Sequence, residues 1–300
     1  MAVIPMIPAV TVYDLVGLTI DGLSFGLLLA ILGISITLVF GLGEVLNLAI
    51  GVFAVMGVLT TLSVNNIVSN LLLASLASVV IVGVFGLVVD RTLLSLVYRS
   101  EGEERILLGI FVTLGLAIFL DGILINFYSF RYSLPVDIQP VRLGPITVSE
   151  ASFIIMSIST VLLVALFLFL RYTYLGKATR TVFQDEVGAI LCGINPRRMR
   201  TIIFVLSAMM AAIAGLLFTI SFAVSVADGF KLTIQALIVS IVGGVRSVVG
   251  AAFAGILLGI VITYASFFVN SYVANVILFL VAVLVLVARP EAIASEGAEA

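Results

Sequence analysis

No histidine and a single cysteine, Cys192, leave this chain without the usual means of catalysis. A Ser–His triad is excluded. Zinc, haem and thiol–imidazole chemistry lack their ligands and nucleophiles. A lone cysteine forms no intrachain disulfide, and no Gly-x4-Gly-Lys-Ser/Thr loop is present to cradle nucleotide phosphates. Two groups of residues can still act. One is a basic, proline-punctuated stretch, DEVGAILCGINPRRMR (185–200); the other is a thin scatter of polar side chains within apolar runs. The chemistry these residue types suit is recognition and the lining of a polar path through apolar surroundings.

Within 171–200, Arg171, Lys177, Arg180, Arg197, Arg198 and Arg200 supply six of the chain's fourteen positive charges. Phe183, Val187, Ile190 and Leu191 fall at i, i+4, i+7 and i+8, the spacing of an apolar stripe on one short helix. Gln184, Asp185 and Glu186 lie off that stripe. Gly193 has the place of a helix terminator. Asn195-Pro196 reads as the N-cap and first residue of the next helix. Such a helix can lie on a membrane face with its basic flanks against anionic lipid, or enter a groove in a cytoplasmic partner. The residues alone leave both readings open.

The scattered polar residues are candidates for lining a solute pathway. Ser35, Thr37, Gln235 and Ser240 are of this kind, although Ser and Thr in membrane helices more often bond to their own or a neighbouring helix. Asn47 is placed to cap or bend the second apolar segment. Asp121 is expected toward the outer end of its span, facing either substrate or interfacial water. Glu44 reads as a solvated turn residue at the cytoplasmic edge.

The elements that position these residues are membrane helices. The chain is 63% hydrophobic and 10% charged, with a mean hydropathy of +1.37. A soluble domain needs a polar face on most of its elements. Apolar segments lie at 22–40, 45–64, 70–90, 106–128, 150–170, 201–224, 232–242, 247–269 and 272–288, and all but 232–242 approach or exceed the roughly 20 residues that span a bilayer core. The fold class expected is an all-α polytopic bundle of eight or nine segments, forming a single transmembrane domain over 1–300. Segment 232–242 is short enough to be a half-helix or re-entrant. Asp21 is the expected N-cap of the first run. Ala251, Gly255 and Gly259, and likewise Ala211 and Gly215, form small-residue rows suited to close helix packing.

The positive charges set orientation. Arg91, Arg99 and Arg105 in one connection, and the 171–200 loop, belong together on the cytoplasmic side, separated by two spans. Loop 129–149 is then external; nine crossings place Arg246 and Arg289 inside and the N-terminus outside. MAVIPMIPAV has no basic n-region, so no cleaved signal peptide is expected. The polar tail 291–300 is expected to be disordered. A net charge of −2 argues against a nucleic-acid partner.

The stretch DGLSFGLLLAILGISITLVFGLGEVLNLAIG (21–51) resembles the opening of permease subunits of branched-chain amino acid ABC importers. Region 183–195, ending LCGIN, is similar to that family's cytoplasmic coupling segment. ALIVSIVGGVRSVVGAAFAGILLG (236–259) is similar to its glycine-rich C-terminal stretch. The resemblance implies a multi-pass subunit of a prokaryotic cytoplasmic membrane that binds no cofactor itself. ATP and Mg would act in two partner ATPases. A second permease, expected to be a paralogue, and an external substrate-binding protein would complete the system. It assigns ATPase coupling to Val182, Phe183, Asp185, Glu186, Val187, Ile190, Leu191, Gly193 and Asn195.

Three positions depart from the family's usual residues. Ile50 stands where a histidine is common, Val52 where a glutamate is, and Gln235 where a lysine is usual. Each removes an ionisable group from a candidate pathway, which suggests a less polar substrate or a partner permease that supplies the missing groups; Lys231, one turn before Gln235, can substitute in part. The competing reading is a stand-alone carrier or channel. Ion-coupled carriers usually keep ionisable groups near the midplane, and here they are sparse. Substrates of the family's relatives include leucine-like and other neutral amino acids, urea, short amides and aromatic acids.

Overall fold

A computed structural model describes residues 12–100, 102–128, 130–135, 140–143 and 146–288. The readings for MAVIPMIPAV, Arg289 and the 291–300 tail fall outside them. The chain folds as helices α1 (Val12–Gly43), α2 (Ile50–Val68), α3 (Leu71–Val97), α4 (Gly102–Phe127), α5 (Glu150–Tyr172), α6 (Tyr174–Gln184), α7 (Glu186–Leu191), α8 (Pro196–Ser221), α9 (Asp228–Gly243), α10 (Val248–Phe268) and α11 (Ser271–Ala288). Among the described residues, seven helices are long and apolar enough to cross a membrane: α1 to α5, α8 and α10. α9, with 16 residues, and α11, with 18, are the shorter apolar elements. The expected all-helical chain is amended by one antiparallel hairpin, β1 (Pro140–Leu143) with β2 (Ile146–Ser149). Asp21 is not an N-cap. The apolar pattern extends further toward the N-terminus, and Asp21 lies inside α1, accepting a hydrogen bond from Ser152 Oγ.

α1 is the axis of the bundle. Leu29, Ala30, Ile31 and Leu32 are fully buried in it. It packs along α10 through small residues: a Cβ on Gly259 would collide with the Gly26 backbone, and one on Gly255 with Ala30. Close backbone approach of this kind is what small residues permit in lipid, where no hydrophobic drive holds helices together. Gly215 of α8 meets the backbone at Ala54 of α2 in the same way. Phe53 of α2 stacks edge-on with Phe204 of α8, ring centroids 6.1 Å apart, at the centre of the apolar core. The outward faces of α3, α4, α5 and α11 expose Leu, Val, Ile and Phe side chains, as lipid-facing surfaces do.

The two ends of the bundle differ in charge. At one end, Glu44, just past α1, pairs with Arg105 of α4 at 3.6 Å and with Arg246, before α10, at 3.2 Å. Arg200 of α8 reaches the last turn of α1 there too. The two arginine-rich connections therefore share this end. At the opposite end, Tyr132 bridges Val224, and Arg131 lies 4.0 Å from Asp228. α9 runs from that end toward the Arg-rich end, so it connects the two faces and does not return to the one it left.

Candidate functional site

The Arg-rich end carries the segment singled out in the sequence, with one correction. Phe183, Val187, Ile190 and Leu191 do not share a helix. Asp185 ends α6 in extended conformation and caps α7, its Oδ1 accepting the Gly188 N–H at 2.9 Å. A side-chain cap at Asp185 competes with continuation of the helix and wins, since Asp favours caps over helix interiors. The split divides the apolar residues by task. Val182 is buried, and the Phe183 ring packs where a Cβ on Gly41 of α1 would stand. Val187, Ile190 and Leu191 face outward, 68%, 55% and 83% exposed. Gly193 ends α7 at φ 79°, donating to the Ile190 carbonyl while Ile194 donates to that of Ala189. This paired pattern is a Schellman termination. Asn195 then caps α8 through the Arg198 N–H, ahead of Pro196.

α7 is fastened to the bundle through one buried cation. Arg200, 7% exposed, donates from Nε to the Leu42 carbonyl at 2.9 Å and from a terminal nitrogen to Glu186 Oε2 at 2.6 Å. Its guanidinium carbon stands 5.4 Å from the centre of the Tyr98 ring, within cation–π range. Burial, followed by nearby Asp90, pushes the Tyr98 hydroxyl up, so the ring stays neutral beside the cation. Four segments thus converge: the exposed α7, the end of α1, the start of α8 and the turn after α3. Arg200 was visible in the sequence only as one of several loop charges. Glu44, expected to be a solvated turn residue, is the hub of two ion pairs. Asp90, within a π-helical turn closing α3, accepts the Thr201 hydroxyl at 2.6 Å; an acid ending an apolar run beside Arg91 was its only sequence signal.

A cavity of about 530 Å³ opens at the opposite end, among α1, α5, α8, α9, α10 and α11. Phe25, Phe218 and Phe222 line one wall, their ring centroids 5.0 to 6.5 Å apart. Asp21 and Lys231 contribute opposite charges. Gln235, 4% exposed, lies deeper, and its Oε1 is buried without a hydrogen-bond partner.

Of the candidate pathway residues, Gln235 lines this cavity and the others do not. Thr37 and Ser240 bond to each other at 2.8 Å, and the Ser35 carbonyl accepts Ser207 Oγ at 2.9 Å, all buried between helices. Asn47 turns the chain into α2 by accepting the Ala49 N–H at 3.0 Å, and its Nδ2 is buried without a partner. Ile50 and Val52 are fully buried in the apolar core, flanking Gly51, whose N–H donates to Thr233 of α9 at 3.0 Å. Asp121 lies near the end of α4 away from the Arg-rich face, with Oδ1 buried and unpartnered.

A multi-span bundle with a clamped, outward-facing apolar helix at one end and a cavity at the other has the form of a membrane transport subunit. The family described as branched-chain amino acid transport system / permease component matches residues 18–288, and the chain belongs to it. It is 27% identical over 294 residues to the high-affinity branched-chain amino acid transport system permease protein LivH of Escherichia coli K12, covering 91% of this chain and 93% of that protein. BraD of Pseudomonas aeruginosa, another such permease, is 24% identical over 299 residues, covering 94% and 96%. A probable LivH permease of Methanocaldococcus jannaschii is 29% identical over 248 residues, covering 79% and 78%. No solved structure matches.

Proposed function

We propose that this chain is the translocation subunit of an ATP-driven importer for branched-chain or other neutral amino acids, working by alternating access in a prokaryotic cytoplasmic membrane. The observation that carries this is the fastening of α7. Three apolar side chains are presented outward on a helix that is locked to the bundle axis through Glu186, Arg200 and the Leu42 carbonyl. An apolar stripe that only rested on lipid would need no such fastening. In an importer, it is the surface that two cytoplasmic ATPases would grip; ATP and Mg are their ligands. The Arg-rich end is then cytoplasmic, by the excess of positive charge, and α9 and α11 complete nine crossings. A paralogous permease and an external binding protein would complete the pathway. ATP binding closes the ATPases, α7 moves with them, and Arg200 passes the displacement to α1, which also forms part of the outer cavity. Mild-detergent purification of the tagged chain with mass spectrometry of what accompanies it tests this reading. Two ATPases and a second permease are expected. A stable, solitary chain refutes it and favours a self-sufficient carrier.

A further inference from the structure

We propose that the outer cavity is a zwitterion-binding site built within this one subunit, in which Lys231 holds a ligand carboxylate, and Asp21 with Gln235 Oε1 holds its ammonium. The proposal rests on the importer reading for its choice of ligand, but its chemistry comes from the cavity wall. Asp21 and Lys231 stand on different helices, α1 and α9, and among the described residues they are not ion-paired with each other. Lys231 is exposed and Asp21 half-buried, so neither charge is spent on the other, and a ligand bearing both signs pairs with the two at once. Ser152 Oγ donates to Asp21 Oδ1, which fixes the carboxylate's position.

Gln235 supplies the independent observation. It lies one turn from Lys231 on the same face of α9, since residues four apart are neighbours on a helix. Lys231 is exposed at the mouth; Gln235 is 4% exposed, and its Oε1 has no partner. A buried amide oxygen left unbonded is costly, and an ammonium donor removes that cost. The phenyl cluster of Phe25, Phe218 and Phe222 then faces the ligand's apolar side chain. A volume of about 530 Å³ suits a small molecule of this kind.

Ser271, exposed and on the cavity wall, provides a reporter position. Cys192→Ser removes the native thiol, and the Ser271→Cys variant is labelled with an impermeant maleimide in native membranes holding the whole complex. L-leucine should slow labelling. Leucinamide, without the carboxylate, and 4-methylpentanoate, without the amine, should each protect roughly tenfold less well, the loss expected for one charge-assisted contact. Lys231→Gln should erase the preference for leucine over leucinamide, and Lys231→Arg should keep it. Asp21→Asn should erase the preference over 4-methylpentanoate. A Ser271→Cys variant that resists labelling, or that leucine does not protect, overturns the proposal, as do unchanged preferences in both charge variants. Co-purification of ATPases is scored in parallel. Protection without ATPases sinks the importer reading and leaves the site; ATPases without protection sink the site alone.

Discussion

Arg200 is the residue whose loss should separate binding of the ATPases from their use. Its guanidinium is 7% exposed, whereas Glu186 is 41% exposed on its side chain, so the pair is half in water. The ion pair itself is therefore worth about 1 kcal/mol, the upper range for exposed pairs. The bond to the Leu42 carbonyl is buried, and hydrogen bonds to charged groups contribute about 1.5–3 kcal/mol. Arg200→Leu should accordingly destabilise the junction by about 2–4 kcal/mol in all. Glu186→Gln should cost only about 1 kcal/mol, because Arg200 keeps the Leu42 carbonyl and the Tyr98 ring. The double variant should cost scarcely more than Arg200→Leu alone, since partners in one network are not additive. The assay is reconstituted complex in liposomes, reading ATP hydrolysis and leucine uptake side by side. Arg200→Leu should hydrolyse ATP with little uptake, a fall in transport per ATP of roughly tenfold or more. Glu186→Gln should lose no more than roughly fivefold. If Arg200→Leu transports as many molecules per ATP as the native complex, α7 acts on the bundle by another route and the linkage argued here is wrong.

Gly193 sits at φ 79°, where a side chain is strained, so Gly193→Asp should cost about 1–2 kcal/mol locally. It should weaken ATPase co-purification while leaving the bundle folded by size-exclusion profile. Gly259→Val places a side chain against the Gly26 backbone and should abolish monodisperse protein in detergent, whereas Gly115→Ala, with nothing nearby, should be silent. Val52→Glu puts a carboxylate in the fully buried core and should remove most folded protein, an effect of several kcal/mol, read by fluorescence-detected chromatography. Cys192 is exposed beside α7, so an impermeant maleimide should label it in inside-out vesicles and not in intact cells; the reverse pattern would invert the topology.

How much of this was legible in the sequence follows the range of the interactions. Each apolar segment emerged as a helix because hydropathy is local, and the turn at Gly193, Asn195 and Pro196 was legible because caps are written within a few residues. The same local rules misplaced Asp21. An acid ahead of an apolar run has the composition of a cap, but the apolar pattern continues back to Val12, and Asp21 sits inside the helix with Ser152 of α5 as its side-chain partner. Periodicity misjudged 183–191 for a related reason. The i, i+4, i+7, i+8 spacing survives a break at Asp185 unchanged, so it cannot distinguish one helix from two. The long-range contacts had no local signature at all. Arg200 meets Leu42 across 158 positions, and Glu44 meets Arg246 across 202.

The functional geometry belongs to that last class. Asp21, Lys231 and Gln235 share a cavity only because small residues let α1 and α10 come into backbone contact and α9 is drawn onto α2 at Gly51 and Gly229. The glycine rows, read as ordinary packing, are thus what brings the cavity's polar groups together. α1 carries both ends of the device: Leu42 accepts from Arg200 at one end, and Asp21, Ser24, Phe25 and Leu28 line the cavity at the other. A nearly continuous helix transmits an axial or rotational displacement with little loss, because its hydrogen-bond ladder is stiff compared with the side-chain contacts around it. On the importer reading, a movement imposed on α7 at the Arg-rich end would reach the cavity through one element, and a kink in that element should break it. Gly33→Pro, midway along α1 and buried against Val239, would remove a ladder bond and bend the helix at a cost of about 3 kcal/mol or more. It should abolish transport per ATP in any protein that still assembles, even with Arg200 and the cavity residues intact.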